Sequence, residues 1–148
     1  MERAARQKMM TSISHDRLFA RFQANLPANP ASIDRCQAEL SFRLPADYVR
    51  FLQQMNGGEG FVGKNYLRVW PVEELVRYNK RYHVEKGAPG IFLFGTDGGG
   101  EAFAFDTRST PSPIVAVPFI LDLEDGIFIA RNFESFLQHL YHSESVFP

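Results

Sequence analysis

The chain has 148 residues, 45% of them hydrophobic and 14% aromatic, which suffices for a sizeable core and excludes a disordered segment. A net charge of −1 removes any global case for direct binding of nucleic acid or an anionic membrane. The single cysteine, Cys36, excludes an intrachain disulfide, and the longest apolar stretch, residues 113–121, is broken by Pro118 and too short to span a bilayer.

Residues 1–12 are polar and lack the apolar run of a secretion signal. They read as a flexible tail on one 148-residue domain with a cytoplasmic location. Ser14 can then cap a first helix with Leu18, Phe19 and Phe22 on one face, ended by Pro27 and Pro30. Ser32 can cap a second, with Ile33, Cys36 and Leu40 inward. Leu44-Pro45 opens a third, because proline is tolerated in a first turn. Tyr48, Phe51, Leu52 and Met55 follow at i, i+3, i+4 and i+7, and Asn56-Gly57-Gly58 stops it.

A glycine-rich loop carrying Glu59 leads to a strand at Tyr66–Trp70. Pro71, Glu73 and Glu74 begin a fourth helix, their charges favourable at its positive end, with Leu75, Val76, Asn79 and Tyr82 along it. The second half reads mostly as strands: 91–95, 101–106, 114–118 and 127–130. A hairpin loop, Thr96-Asp97-Gly98-Gly99-Gly100, joins the first two. Asn132 can cap a last helix with Phe133, Phe136, Leu137, Leu140 and Tyr141 on one side. The expected fold is α+β, with a central, mainly antiparallel sheet flanked by N-terminal helices and a C-terminal helix.

No catalytic set emerges. The run Asp97 to Glu101 resembles a phosphate loop in its glycines, but a strand follows where a phosphate loop opens a helix, and no lysine follows the glycines. Asp97, Glu101 and Asp106 could offer oxygens to a hard cation, but Glu101 and Asp106 differ in parity along their strand and point to opposite faces. No metal, cofactor or catalytic residue is therefore expected. Trp70 reads as a core residue pinning the fourth helix to the sheet, with a partner anchor as its rival reading.

The acids are unevenly spread. Over residues 97–125 six carboxylates, Asp97, Glu101, Asp106, Asp122, Glu124 and Asp125, face one base, Arg108. Together with Glu59 they are the candidate protein-binding residues. Carboxylates facing a basic cleft speed association and compete with an anionic substrate.

In order and spacing, Leu44-Pro45-x-x-Tyr48-x-x-Phe51-Leu52, Asn56-Gly57-Gly58 and Leu67-x-x-Trp70-Pro71-x-Glu73-Glu74-Leu75 resemble the first half of the SUKH superfamily. Phe94-Gly95-x-Asp97-Gly98-Gly99-Gly100-Glu101-x-Phe103-x-Phe105-Asp106 and Phe133-Glu134-x-Phe136-Leu137 resemble its second half. The superfamily includes fungal regulators of cell-wall synthesis and many bacterial immunity proteins. The resemblance implies a protein-binding module, most often an antitoxin that blocks a nuclease, deaminase or other toxin domain, with no shared catalytic residues. Asn56, Gly57, Gly58, Trp70, Pro71, Gly98, Gly99 and Gly100 are expected to serve the fold. A regulatory scaffold without a toxin partner is the alternative, and a small metal-dependent hydrolase the more distant one.

Overall fold

Strict alternation from Glu101 to Asp106, with phenylalanine at every second position, needs a sheet with an aromatic face, and the chain builds one of seven strands. In a computed structural model describing residues 12–120 and 126–148, the strands are β1 (Arg21–Ala24), β2 (Gly58–Val62), β3 (Asn65–Val69), β4 (Ile91–Thr96), β5 (Glu101–Asp106), β6 (Ile114–Pro118) and β7 (Ile127–Ala130). Each pairs antiparallel with its neighbour in the chain, so sheet order is chain order. The helices are α1 (His15–Leu18), α2 (Pro30–Glu39), α3 (Ala46–Gln54), α4 (Leu75–Arg81), α5 (Val84–Gly87) and α6 (Phe133–His142), with a 3-10 turn at Val72–Glu74 before α4. The architecture is the expected α+β one, and β5, β6 and β7 keep the bounds read from the sequence.

The N-terminal part departs from expectation. Only His15–Leu18 is helical, and Phe22 belongs to β1, an edge strand laid on β2. The supposed glycine-rich loop is β2 itself, so Glu59 sits on a strand. The glycines explain both. On the helix-bearing side of the sheet, an added Cβ at Gly58 would come to 2.7 Å from the Phe22 ring, and one at Gly60 to 2.7 Å from Phe22 Cα. Two bare positions, one strand period apart, make the bed on which Phe22 lies. The second helix is capped by Asn29, whose side chain accepts from Ala31 N–H, and not by Ser32. Asn132 caps α6 as expected, accepting from Ser135 N–H.

Helices α3 and α6 cover one face of the sheet. Phe133 meets the ring of Phe94, Phe136 meets those of Phe94 and Phe103, and Tyr48 meets Phe94, Phe105 and Phe133, at centroid separations of 4.8–5.8 Å. Residues 13–15 are held onto α6, with Gln138 bonding both backbone groups of Ile13 and His15 meeting Glu134 at 2.9 Å. Cys36 is buried, and its thiol is pushed up to about 11, first by burial and then by Glu39, which leaves it unreactive.

The Tyr48 hydroxyl is fully buried and has no hydrogen-bond partner among the described residues. Burial holds this phenol far above its ordinary pKa. A buried donor without a partner costs stability, so Tyr48→Phe is expected to raise the unfolding free energy by about 1 kcal/mol. Urea denaturation checks this, and a loss of stability would mean that the hydroxyl does find a partner.

Candidate protein-docking site

The opposite face of the sheet is built by the residues that alternate with the core positions. Register places Gln23, Glu59, Arg68, Thr96, Ala102 and Val117 in one transverse row, and Arg21, Phe61 and Tyr66 in the adjoining one. Trp70 continues the parity of Tyr66 and Arg68 just beyond β3. Its main-chain N–H donates to Phe94 O at 3.1 Å, carrying the ladder one step further.

β3 pairs with β4 only at Arg68–Thr96 and Val69–Gly95. Below that point α4 takes over. The Asn79 side-chain amide donates to Leu93 O at 3.0 Å and accepts from Leu93 N–H at 2.8 Å, standing in for a strand neighbour. This docking brings Tyr78 and Tyr82, one helical turn apart, alongside Trp70.

The result is a cleft of about 580 Å³. Tyr66, Arg68 and Trp70 form its floor, and Tyr78 of α4 with Tyr82 just past its C-terminal end form one wall. Phe119, just past β6, and the Thr96–Gly99 hairpin form another. Trp70 stacks on Tyr78 with centroids 4.5 Å apart and planes 24° apart, and Tyr82 meets Phe119 at 4.8 Å. Phe61 at the far end is 40% exposed, with the Arg21 guanidinium 5.1 Å from its ring centroid. Among the described residues the hydroxyls of Tyr78 and Tyr82 make no hydrogen bond, so the wall keeps two polar groups without a partner in the fold.

The candidate acids do not form one group. Glu59 accepts a hydrogen bond from the Tyr66 hydroxyl, which raises the Tyr66 pKa. Asp97 turns the hairpin, its Oδ1 accepting from Gly99 N–H at 2.8 Å and Glu101 N–H at 3.4 Å. Glu101 lies at the start of β5, and its carboxyl is raised by desolvation and then by the neighbouring Asp97 charge. Asp106 is at the other end of β5, clamped by Arg108 through two bonds of 2.8 Å that hold its carboxyl low. It stands away from Asp97 and Glu101 and is already neutralised. Asp122, Glu124 and Asp125 lie outside the described residues. No three His, Cys, Asp or Glu side chains among the described residues come together as a metal set.

The landmark residues divide by role. Asn56 is a junction: its Oδ1 accepts from Val72 N–H at 2.8 Å, its Nδ2 donates to Glu73 at 2.6 Å, and its carbonyl accepts from Asn25. Gly57 has φ +77° and sits against the main chain of Val69, while Gly58 underlies Phe22. Pro71 precedes the 3-10 turn, and Trp70 is only 4% exposed. Of the three hairpin glycines, only Gly98 has positive φ.

Sequence reasoning did not find Tyr66, Arg68, Tyr78, Tyr82 or Phe119 as a set. The available signals were the out-facing alternation of Tyr66, Arg68 and Trp70, and the i, i+4 pair of tyrosines in and just past α4.

Residues 27–139 match the SMI1 / KNR4 family (SUKH-1). An uncharacterized Bacillus subtilis (strain 168) protein, YnaB, is 30% identical over 118 residues, covering 78% of this chain and 77% of its own length. The family match takes in the cleft, the hairpin and every strand but β1, and the chain belongs to the SMI1 / KNR4 family (SUKH-1).

Proposed function

We propose that the chain is a cytosolic immunity protein that binds a toxin domain through the aromatic cleft and blocks it by occlusion, with no chemistry of its own. The observation that carries this reading is a concave, preassembled aromatic surface on the sheet face opposite α3 and α6. Tyrosines held by stacking on a buried tryptophan, with free hydroxyls, are typical anchors at protein interfaces, because little freedom is lost when they bind. Membership of a family that includes immunity proteins supports the same reading. Asp97 and Glu101 lie at this end of the sheet and give it a negative rim, suited to the basic cleft of a nuclease or deaminase, while Glu59 faces Arg68 across the sheet. Asp122, Glu124 and Asp125 are proposed to extend that field.

The test is the double variant Tyr78→Ala, Tyr82→Ala, assayed against a candidate cognate toxin domain, to be sought in the adjacent reading frame. Loss of two anchors is expected to cost roughly 3 kcal/mol of binding, a factor of about 100 or more, and to abolish protection of cells expressing the toxin. A folded double variant that binds and protects as the parent does would remove the cleft from the interface.

A further inference from the structure

The glycines of the β4–β5 hairpin are of two kinds. Gly98 has φ +83°, and an added Cβ would stand 2.8 Å from the Tyr66 ring, so the fold requires glycine there. At Gly100 an added Cβ would meet nothing within 4 Å, and at Gly99 it would meet only the Asp97 carboxylate, at 3.4 Å. Neither residue has positive φ, and both are exposed. Glycine at such positions costs conformational entropy on folding and returns nothing to this chain's own packing. What it leaves is a ledge of bare main chain at the rim of the cleft. The Gly100 carbonyl accepts from Phe119 N–H at 2.9 Å, which fixes the ledge to the cleft wall.

The charges are unbalanced at the hairpin end of the cleft: at the far end Arg21 lies over Phe61, and Arg77, over Tyr78, is paired with Glu74. Arg68 on the floor stands directly across β2–β3 from Glu59, and each offsets the other. Asp97 on the rim and Glu101 beside it form no ion pair among the described residues. Asp97 Oδ1 takes both backbone donors, so Oδ2 remains open to a ligand. The aromatic walls add the negative faces of their rings.

We propose that the cleft receives an arginine side chain from an extended loop of the partner, whose main chain runs along Gly99 and Gly100. This rests on the reading of the cleft as the docking surface. A planar guanidinium can stack on ring faces while its edge donates to a carboxylate, and the bare ledge lets the loop's backbone come close enough for the side chain to reach in.

The probes are two capped tripeptides, Gly-Arg-Gly and its citrulline counterpart, which keeps the shape of the side chain and removes its charge. Each is titrated into 15N-labelled protein. The arginine peptide is expected to shift the amides of Gly98, Gly99 and Gly100 and the indole N–H of Trp70, and to bind at least about fivefold more tightly than the citrulline peptide. Gly100→Val is expected to weaken the arginine peptide by roughly tenfold, since its side chain occupies the place of the partner's main chain. Its melting temperature should stay within about 2 °C of the parent. Equal binding of the two peptides would overturn the arginine assignment, and undiminished binding by Gly100→Val would overturn the ledge. If neither peptide binds while the Tyr78, Tyr82 double variant still loses the toxin domain, this inference fails and the docking reading stands. If the double variant loses nothing, both fail.

Discussion

Trp70→Ala is expected to lower the unfolding free energy by about 3–5 kcal/mol, as removal of a large buried aromatic usually does. The indole is 4% exposed and lies between the end of β3 and α4, stacked on Tyr78 at 4.5 Å. Phe119 closes the other flank, with its centroid 6.4 Å away. The main-chain bond from Trp70 N–H to Phe94 O survives the substitution, so the loss is one of packing and not of strand pairing. With the indole gone, Tyr78 loses its stacking partner and α4 is held to the sheet chiefly through Asn79 and Leu75. Urea denaturation monitored by circular dichroism measures the effect. A variant as stable as the parent but unable to bind its partner would make Trp70 an anchor and not a core residue.

Gly57→Ala should be comparably severe for a different reason. The residue has φ +77°, a conformation that costs an ordinary residue about 1–3 kcal/mol. In addition, the new Cβ would stand 2.2 Å from Val69 O and 3.0 Å from Trp70 C, both main-chain atoms that no rotamer change can move. Relief requires β2 to shift away from β3 at the point where Gly58 pairs with Val69 and Asn25 N–H bonds Gly57 O. The combined expectation is a loss of more than about 3 kcal/mol, read from the urea midpoint. Gly100→Ala, with open space around its Cβ, is the control and should change little. Near-parental stability for Gly57→Ala would mean that β2 can slide without cost.

The contrast between these glycines shows where sequence reasoning has purchase. Strands β4 to β7 and helix α6 were legible because β-branched and aromatic residues mark them and Asn132 announces the last helix. β1 and β2 were not, because their pairing depends on what is missing. Gly58 and Gly60 carry no apolar signal, yet their bareness admits Phe22. The hairpin glycines read alike in sequence, and only their φ angles and surroundings separate Gly98 from Gly99 and Gly100. Among the candidate site residues, the acids were visible as charges but not as neighbours. Six residues of β5 put Asp106 beyond reach of Asp97, and Arg108 two positions on takes up its charge. The aromatic cleft was hidden because β3, α4, the hairpin and the segment after β6 each supply only one to three of its side chains.

Because the strands join in the order in which they are made, most of the sheet can form without gathering distant parts of the chain. The hairpins β2–β3 and β4–β5 close short loops, and short loops cost little entropy to close. The helical layer is less local: α6 meets α3 through Glu134 and Asp47, 87 residues apart, and in the N-terminal hook Ile13 meets Gln138 across 125 residues and His15 meets Glu134 across 119. The hook closes the longest loop among these contacts, though closure cost rises only slowly with length. The cleft does not draw on the hook: its lining runs from Phe61 to Phe119, and β3, α4 and the hairpin, which supply most of it, lie between Asn65 and Glu101. The proposed docking surface therefore takes none of its lining from the two ends of the chain.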